Sequence, residues 1–115
     1  MKSTKALLEF WEEQMKKSHT SSNYFFRKSP SHYHMMLIIM AYHKQDMYIT
    51  VEQLKTKLFK TSRPKSALMI TEACEKNFFF LEKTSNDQRK KFIKPTVSFI
   101  EEFESYLKKL KEISL

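Results

Sequence analysis

The side chains best suited to chemistry in this sequence are cations. Lys55, Lys57, Lys60, Arg63 and Lys65 form one group, and Lys83, Arg89, Lys90 and Lys91 form a second. Both groups lie within residues 52–94, which carry a net +6 of the chain's +8, against +3 for residues 1–51 and −1 for residues 95–115. Charge confined to one segment points to a surface built for phosphate. Lysines on such a surface set affinity, whereas arginine can also read base edges or the width of a minor groove.

Other chemistries are poorly provided for. Among the histidines His19, His32, His34 and His43, the pair His32 and His34 is two apart and points to different faces of a helix, so no metal-ligand spacing results. Cys74 is the only cysteine, which excludes an internal disulfide or a thiolate zinc site, and its apolar helical setting reads as a buried, inert thiol. The carboxylate pairs Glu12–Glu13 and Glu101–Glu102 are adjacent on polar helix faces and suit solvation rather than acid–base work. Glycine is absent, which removes the glycine-rich phosphate loops. The reading is a non-enzyme with no cofactor and no metal.

The elements that must position the cations follow from periodicity and caps. At 115 residues, 41% hydrophobic and 30% charged, the chain suits one domain that folds in water. Its longest apolar stretch, residues 35–42, falls well short of the roughly 20 residues of a spanning helix, and no charged-then-apolar leader is read, so the expected location is the cytoplasm. Leu7, Leu8, Trp11 and Met15 mark one face of a first helix. Residues 18–29 read as a loop whose aromatics Tyr24, Phe25 and Phe26 dock on the body. Ser29 and Pro30 open a second helix running to about Lys44, with Met36, Leu37, Met40 and Ala41 on its buried face. Met47 to Thr50 suits a brief strand, and Thr50 with Gln53 forms a capping box for a helix with Val51, Leu54 and Leu58 on one face. A further helix starts near Ser62 and Pro64 and ends around Asn77, a residue that accepts the left-handed cap. The aromatic run from Phe78, with Phe78 to Phe80 read as core, then returns through a turn at residues 85–88 to a strand at 90–94. Pro95 breaks that strand, and Ser98 with Glu101 is read as the box opening a last helix that carries Phe99, Phe103, Leu107 and Leu110.

Helix, helix, short strand, helix, helix, hairpin, helix is the order of a winged helix-turn-helix with flanking helices. At the hairpin the likeness becomes specific. NFFFLEKTSNDQRKKFIKPT, residues 77–96, resembles without gaps the wing of the MarR-family regulators, with Asp87, Arg89, Lys91, Phe92, Ile93 and Thr96 in register. TVEQLKTKL at residues 50–58 resembles the family's first helix of the turn motif, and SRP at 62–64 the opening of its recognition helix. The resemblance covers residues 30–111. Asn77 stands in place of a glycine, Leu81 and Gln88 where arginine is common, and Leu68 and Thr71 at recognition-helix positions that are often basic or polar. In being small, basic and lysine-rich the chain is closer to the SarA-type regulators.

The resemblance implies a mainly α fold with a small β-hairpin wing, built as residues 1–29 (helix and loop), 30–96 (winged-helix core) and 97–115 (last helix). It implies a homodimer formed by the first and last helices through Leu7, Leu8, Trp11, Met15, Phe99, Phe103, Leu107 and Leu110, repressing or modulating transcription on double-stranded DNA. Ser62, Arg63, Lys65 and Ser66 are then the candidates for major-groove base edges, and Arg89, oriented by Asp87, for the minor groove. Lys55, Lys57, Lys60, Lys83, Lys90 and Lys91 are the candidates for phosphate. A small-molecule effector of unidentified chemistry is a further partner that many family members take. Two alternatives stand beside this reading: a plasmid, phage or nucleoid accessory protein with weak base preference, suggested by the apolar Leu68, and a protein-interaction winged helix, suggested by the Phe78 to Phe80 run.

Overall fold

The computed structural model describes residues 2–18, 21–84 and 89–113. Among these described residues, six helices and three strands follow one another as α1 (Lys2–Met15), α2 (Ser22–Phe26), α3 (Pro30–Lys44), β1 (Ile49–Thr50), α4 (Val51–Lys57), α5 (Arg63–Glu75), β2 (Phe79–Lys83), β3 (Lys91–Pro95) and α6 (Val97–Ile113). None of these helices is long and apolar enough to cross a membrane.

Local hydrogen bonds explain most of the boundaries. Ser21, Ser29, Thr50 and Ser62 each accept a backbone N–H three residues on, satisfying donors that the first helical turn leaves unpaired. Helices α3 and α5 end alike: Asp46 and Asn77 take left-handed φ values of 54° and 63°. The next N–H then reaches back five residues, Met47 to Tyr42 O at 2.9 Å and Phe78 to Ala73 O at 3.0 Å. These are Schellman turns made without glycine, by two of the residue types that best tolerate the left-handed region.

The sheet runs in the order β1-β3-β2, antiparallel throughout, with Ile49 opposite Ile93, Phe79 opposite Pro95 and Lys83 opposite Lys91. Its inner face joins one core made by Met35, Ile39 and Met40 of α3, Leu54 of α4, Leu58 just beyond it, and Met69 and Ala73 of α5. At one end of that core Phe25, Phe26, Phe78, Phe79 and Phe99 stack in tilted and edge-on pairs, with Phe26 centroids 4.9–5.6 Å from each of the other four. Helix α1 lies along α6, where Phe10 meets Tyr106 and Lys109 Nζ is 3.0 Å from Glu13 Oε1.

Several expectations are corrected. Residues 22–26 form a helix rather than loop, because Ser21 caps a single turn that drives Phe25 and Phe26 inward. The buried side of α3 is His32, Met35, Met36, Ile39 and Met40, while Leu37 and Ala41 face outward; this helix is apolar on several sides, so spacing alone could not select the inner one. Strand alternation buries Phe79 but leaves Phe80 exposed. Helix α6 starts two residues earlier than the Ser98–Glu101 box implies. Thr96 is its cap, accepting from Phe99 N at 3.2 Å while donating to Asn77 O at 2.8 Å. Phe99 and Phe103, expected at a dimer surface, are 1% and 6% exposed within the chain's own core.

Two outcomes follow for stability. Phe26→Ala should cost about 3–5 kcal/mol in chemical denaturation, with a loss below about 1 kcal/mol contradicting the joint described for its ring. His32 is buried against Phe25 with Nδ1 2.7 Å from Ser29 Oγ, and burial, assisted by Lys28, holds the imidazole below its ordinary value of 6.5. The unfolded chain therefore takes up this proton first, so stability should fall as pH drops below about 6.5 and the loss should end once the folded ring titrates. Glu13 and Glu52, held below 4.5 by Lys109 and Arg63 respectively, lose their contributions only at lower pH. The thermal midpoint should drop between about pH 7.5 and 5.5 in the parent and stay nearly flat in His32→Gln.

Candidate nucleic-acid interface

The turn between α4 and α5 is built by hydroxyls. Thr50 Oγ1 accepts from Gln53 N at 3.2 Å while Gln53 Oε1 accepts from Thr50 N at 3.0 Å, the reciprocal box that starts α4. At the start of α5, Ser62 Oγ accepts from Lys65 N at 3.3 Å, with Pro64 in the first turn. Ser66 is a correction to the set of base-reading candidates. It is 1% exposed, donates to Ser62 O at 2.9 Å and lies 2.6 Å from Thr61 Oγ1, so it locks the turn from inside. Burial of Ser66, Met69, Ile70 and Ala73 leaves Ser62, Arg63, Lys65, Leu68 and Thr71 on the exposed side of α5.

The second cationic group sits on the hairpin. Lys83 and Lys91 face each other across β2 and β3, both exposed, and Thr84 N donates to Lys90 O at 3.1 Å to close the pairing. Like charges directly opposite on a sheet are unfavourable. Lys94 is different in kind, since it pairs with Glu82 at 2.9 Å and lies 3.8 Å over the Tyr48 ring. Asp87, expected to orient Arg89, lies outside the described residues, and so does His19.

The two groups meet at Glu52, a residue not singled out from the sequence. Its Oε2 accepts from Arg63 Nη2, and its Oε1 is 3.5 Å from Lys55 Nζ. The Arg63 guanidinium beside it holds the Glu52 carboxyl below the usual carboxylate range, so it is charged at neutral pH. Glu52 also lines an open cleft of about 460 Å³ together with Thr50, Gln53, Leu81, Arg89, Lys90 and Lys91. Arg63 and the base of the wing therefore share one side of the molecule. The i,i+3 spacing of Glu52 and Lys55 was visible in the sequence, whereas the contact with Arg63 depends on how the turn folds. Lys57 leans back over the Tyr42 ring of α3 at 5.9 Å, while Lys60 and Lys65 are exposed.

A second feature lies between α1, α2, α3 and α6. A cavity of about 40 Å³ is lined by Trp11, Gln14, Phe26, Tyr33, Phe103 and Tyr106 among others. Tyr33 and Tyr106 hydroxyls are 2.7 Å apart, and burial together with this contact raises the Tyr106 phenol above its ordinary value. Gln14 Oε1 is buried there with no hydrogen-bond partner among the described residues. The space suits a few water molecules and is far below the roughly 300 Å³ of a small-molecule pocket. Cys74 is half-buried, and burial raises its thiol above the ordinary value. Among the described residues, no group of three or more His, Cys, Asp or Glu side chains is placed to hold a metal ion.

Compared by sequence, the chain matches no family model and no curated protein. Compared by structure, it is similar to S. aureus MepR in a MepR–DNA complex, with a TM-score of 0.70 and 15% identity over 96% of this chain and 81% of that one. It is also similar to S. aureus MepR bound to ethidium bromide (TM-score 0.71, 18% identity, 97% and 71% covered). A third likeness is to the YusO protein from Bacillus subtilis (0.59, 18%, 98% and 68%). At these identities the likeness is one of fold, and the chain has the winged-helix fold of the MarR-family transcriptional regulators.

Proposed function

We propose that this chain is a transcription regulator of the MarR type that binds double-stranded DNA as a homodimer, with α5 in the major groove and the wing reaching the adjacent minor groove. The observation that carries this reading is the shared position of Arg63 and the wing cations, joined through Glu52. Arg63, Ser62 and Lys65 are the base-edge candidates on α5, and Arg89 is the minor-groove candidate. Lys55, Lys57, Lys60, Lys83, Lys90 and Lys91 are assigned to phosphate. The facing lysines Lys83 and Lys91 support this, because their mutual repulsion is relieved by a polyanion. The likeness to MepR in a complex with DNA supports it as well.

The dimer is supported by surface and shape. Leu7, Leu8, Trp11 and Met15 are exposed along α1, with Leu107 and Leu110 half-buried on the neighbouring α6. A compact chain of this length has a radius of gyration of about 13 Å. This one has 15.3 Å and measures 53 × 28 × 24 Å, an elongated shape whose apolar flank suits a second copy. Any effector entering between α1 and α6 must widen the small cavity found there. A location in the cytoplasm and the lack of enzymatic activity belong to the same proposal. A second reading, DNA coating with little base preference, is favoured by Leu68, which is 58% exposed amid the polar side of α5.

Selection from random duplex DNA should yield a palindrome with half-sites one helical turn apart, about 10–10.5 base pairs centre to centre. Arg63→Ala should lower affinity about tenfold or more and relax one base position, and Arg89→Ala should remove most binding. Lys91→Ala should weaken all duplexes alike and reduce the salt dependence by about one counterion. Full binding by both arginine variants would reject the assigned surface. Leu8→Glu with Trp11→Glu should turn a dimer into a folded monomer in sedimentation; an unchanged mass would reject the α1 interface.

A further inference from the structure

We infer that Glu52 is a specificity-determining residue of the DNA-facing surface: its carboxylate orients Arg63 toward a base edge and repels phosphate from that guanidinium. This rests on the DNA-binding reading above. The Glu52 charge opposes the net +6 of residues 52–94, and an exposed carboxylate on that surface weakens attraction to a polyanion. Its position in the first turn of α4 favours a negative charge, but that accounts for neither of its two cationic partners. Stability does not account for the Arg63 contact either. The Arg63 and Glu52 side chains are 68% and 65% exposed, and ion pairs that open to water contribute little to folding.

The geometry suits selection. A guanidinium carries five N–H donors in a rigid fork, so a carboxylate engaging Nη2 leaves donors for the O6 and N7 acceptors of guanine. Arginine held in this way loses less freedom on reaching the base. A phosphate approaching the same guanidinium must instead displace or face the Glu52 charge. Binding to arbitrary DNA is therefore weakened more than binding to a site that presents guanine.

The test compares affinities of the full chain for its selected duplex and for random duplex. Glu52→Gln should raise random-duplex affinity about threefold and lower the ratio of selected to random binding about tenfold, with the thermal midpoint unchanged. Glu52→Asp, which keeps the charge but withdraws it by one methylene, should keep random binding weak and still lose selected-site affinity. In an Arg63→Ala background, Glu52→Gln should leave the ratio where Arg63→Ala has already brought it. An unchanged ratio in Glu52→Gln, or an equal fall with and without Arg63, overturns the assignment to Glu52 alone. A parent chain that binds no duplex overturns the DNA-binding reading itself, and this inference with it.

Discussion

The packing of the Phe26 ring is the constraint on which the rest of the structure depends. It sits on a helix of only five residues, and it touches Phe25, Phe78, Phe79 and Phe99 at once. Aromatic pairs of this kind contribute beyond the area they bury. Through them the end of α5, the first wing strand and the start of α6 become one joint. Asn77 turns the chain, Thr96 ties the returning strand to the Asn77 and Phe78 carbonyls, and the hairpin leaves the core in a fixed direction. The cations of α5 and of the wing then share a side because the aromatic joint leaves them little freedom to do otherwise.

Much of this was legible in the residues because it is local. Ser29 with Pro30, Thr50 with Gln53 and Ser62 with Pro64 announce helix starts through hydrogen bonds that span three residues, and Asn77 announces a stop through its tolerance of positive φ. The hairpin was legible through its change of period. What was hidden is decided by tertiary contact. Helix α2 is too short to show a period, and α3 is apolar on several sides, so the choice between Met35 and Leu37 belongs to its neighbours. Thr96 outcompeted Ser98 because it can cap α6 and bind the end of α5 together. Phe99 and Phe103 showed the right spacing for a dimer face, yet the aromatic joint needed them inside.

The candidate site divides in the same manner. The cationic positions could be read directly, since charge along the chain needs no fold to be counted. Ser66 read as a base contact because it is a polar residue on the first turns of the helix; a small hydroxyl there equally suits a buried lock, and the contacts with Thr61 and Ser62 decide the matter. Glu52 could not be found by spacing, since its partner is eleven residues away across a turn. Its presence sets a negative charge beside the most informative arginine of a surface that is positive on balance.

Hydroxyl-radical and methylation protection of one duplex by the intact chain tests the central claim most directly. Two symmetric major-groove protections one helical turn apart, each flanked by a minor-groove protection, are the pattern that α5 and the wing of a two-fold dimer must leave. Protection that spreads along the duplex with added protein, or that spares the major groove, would contradict it.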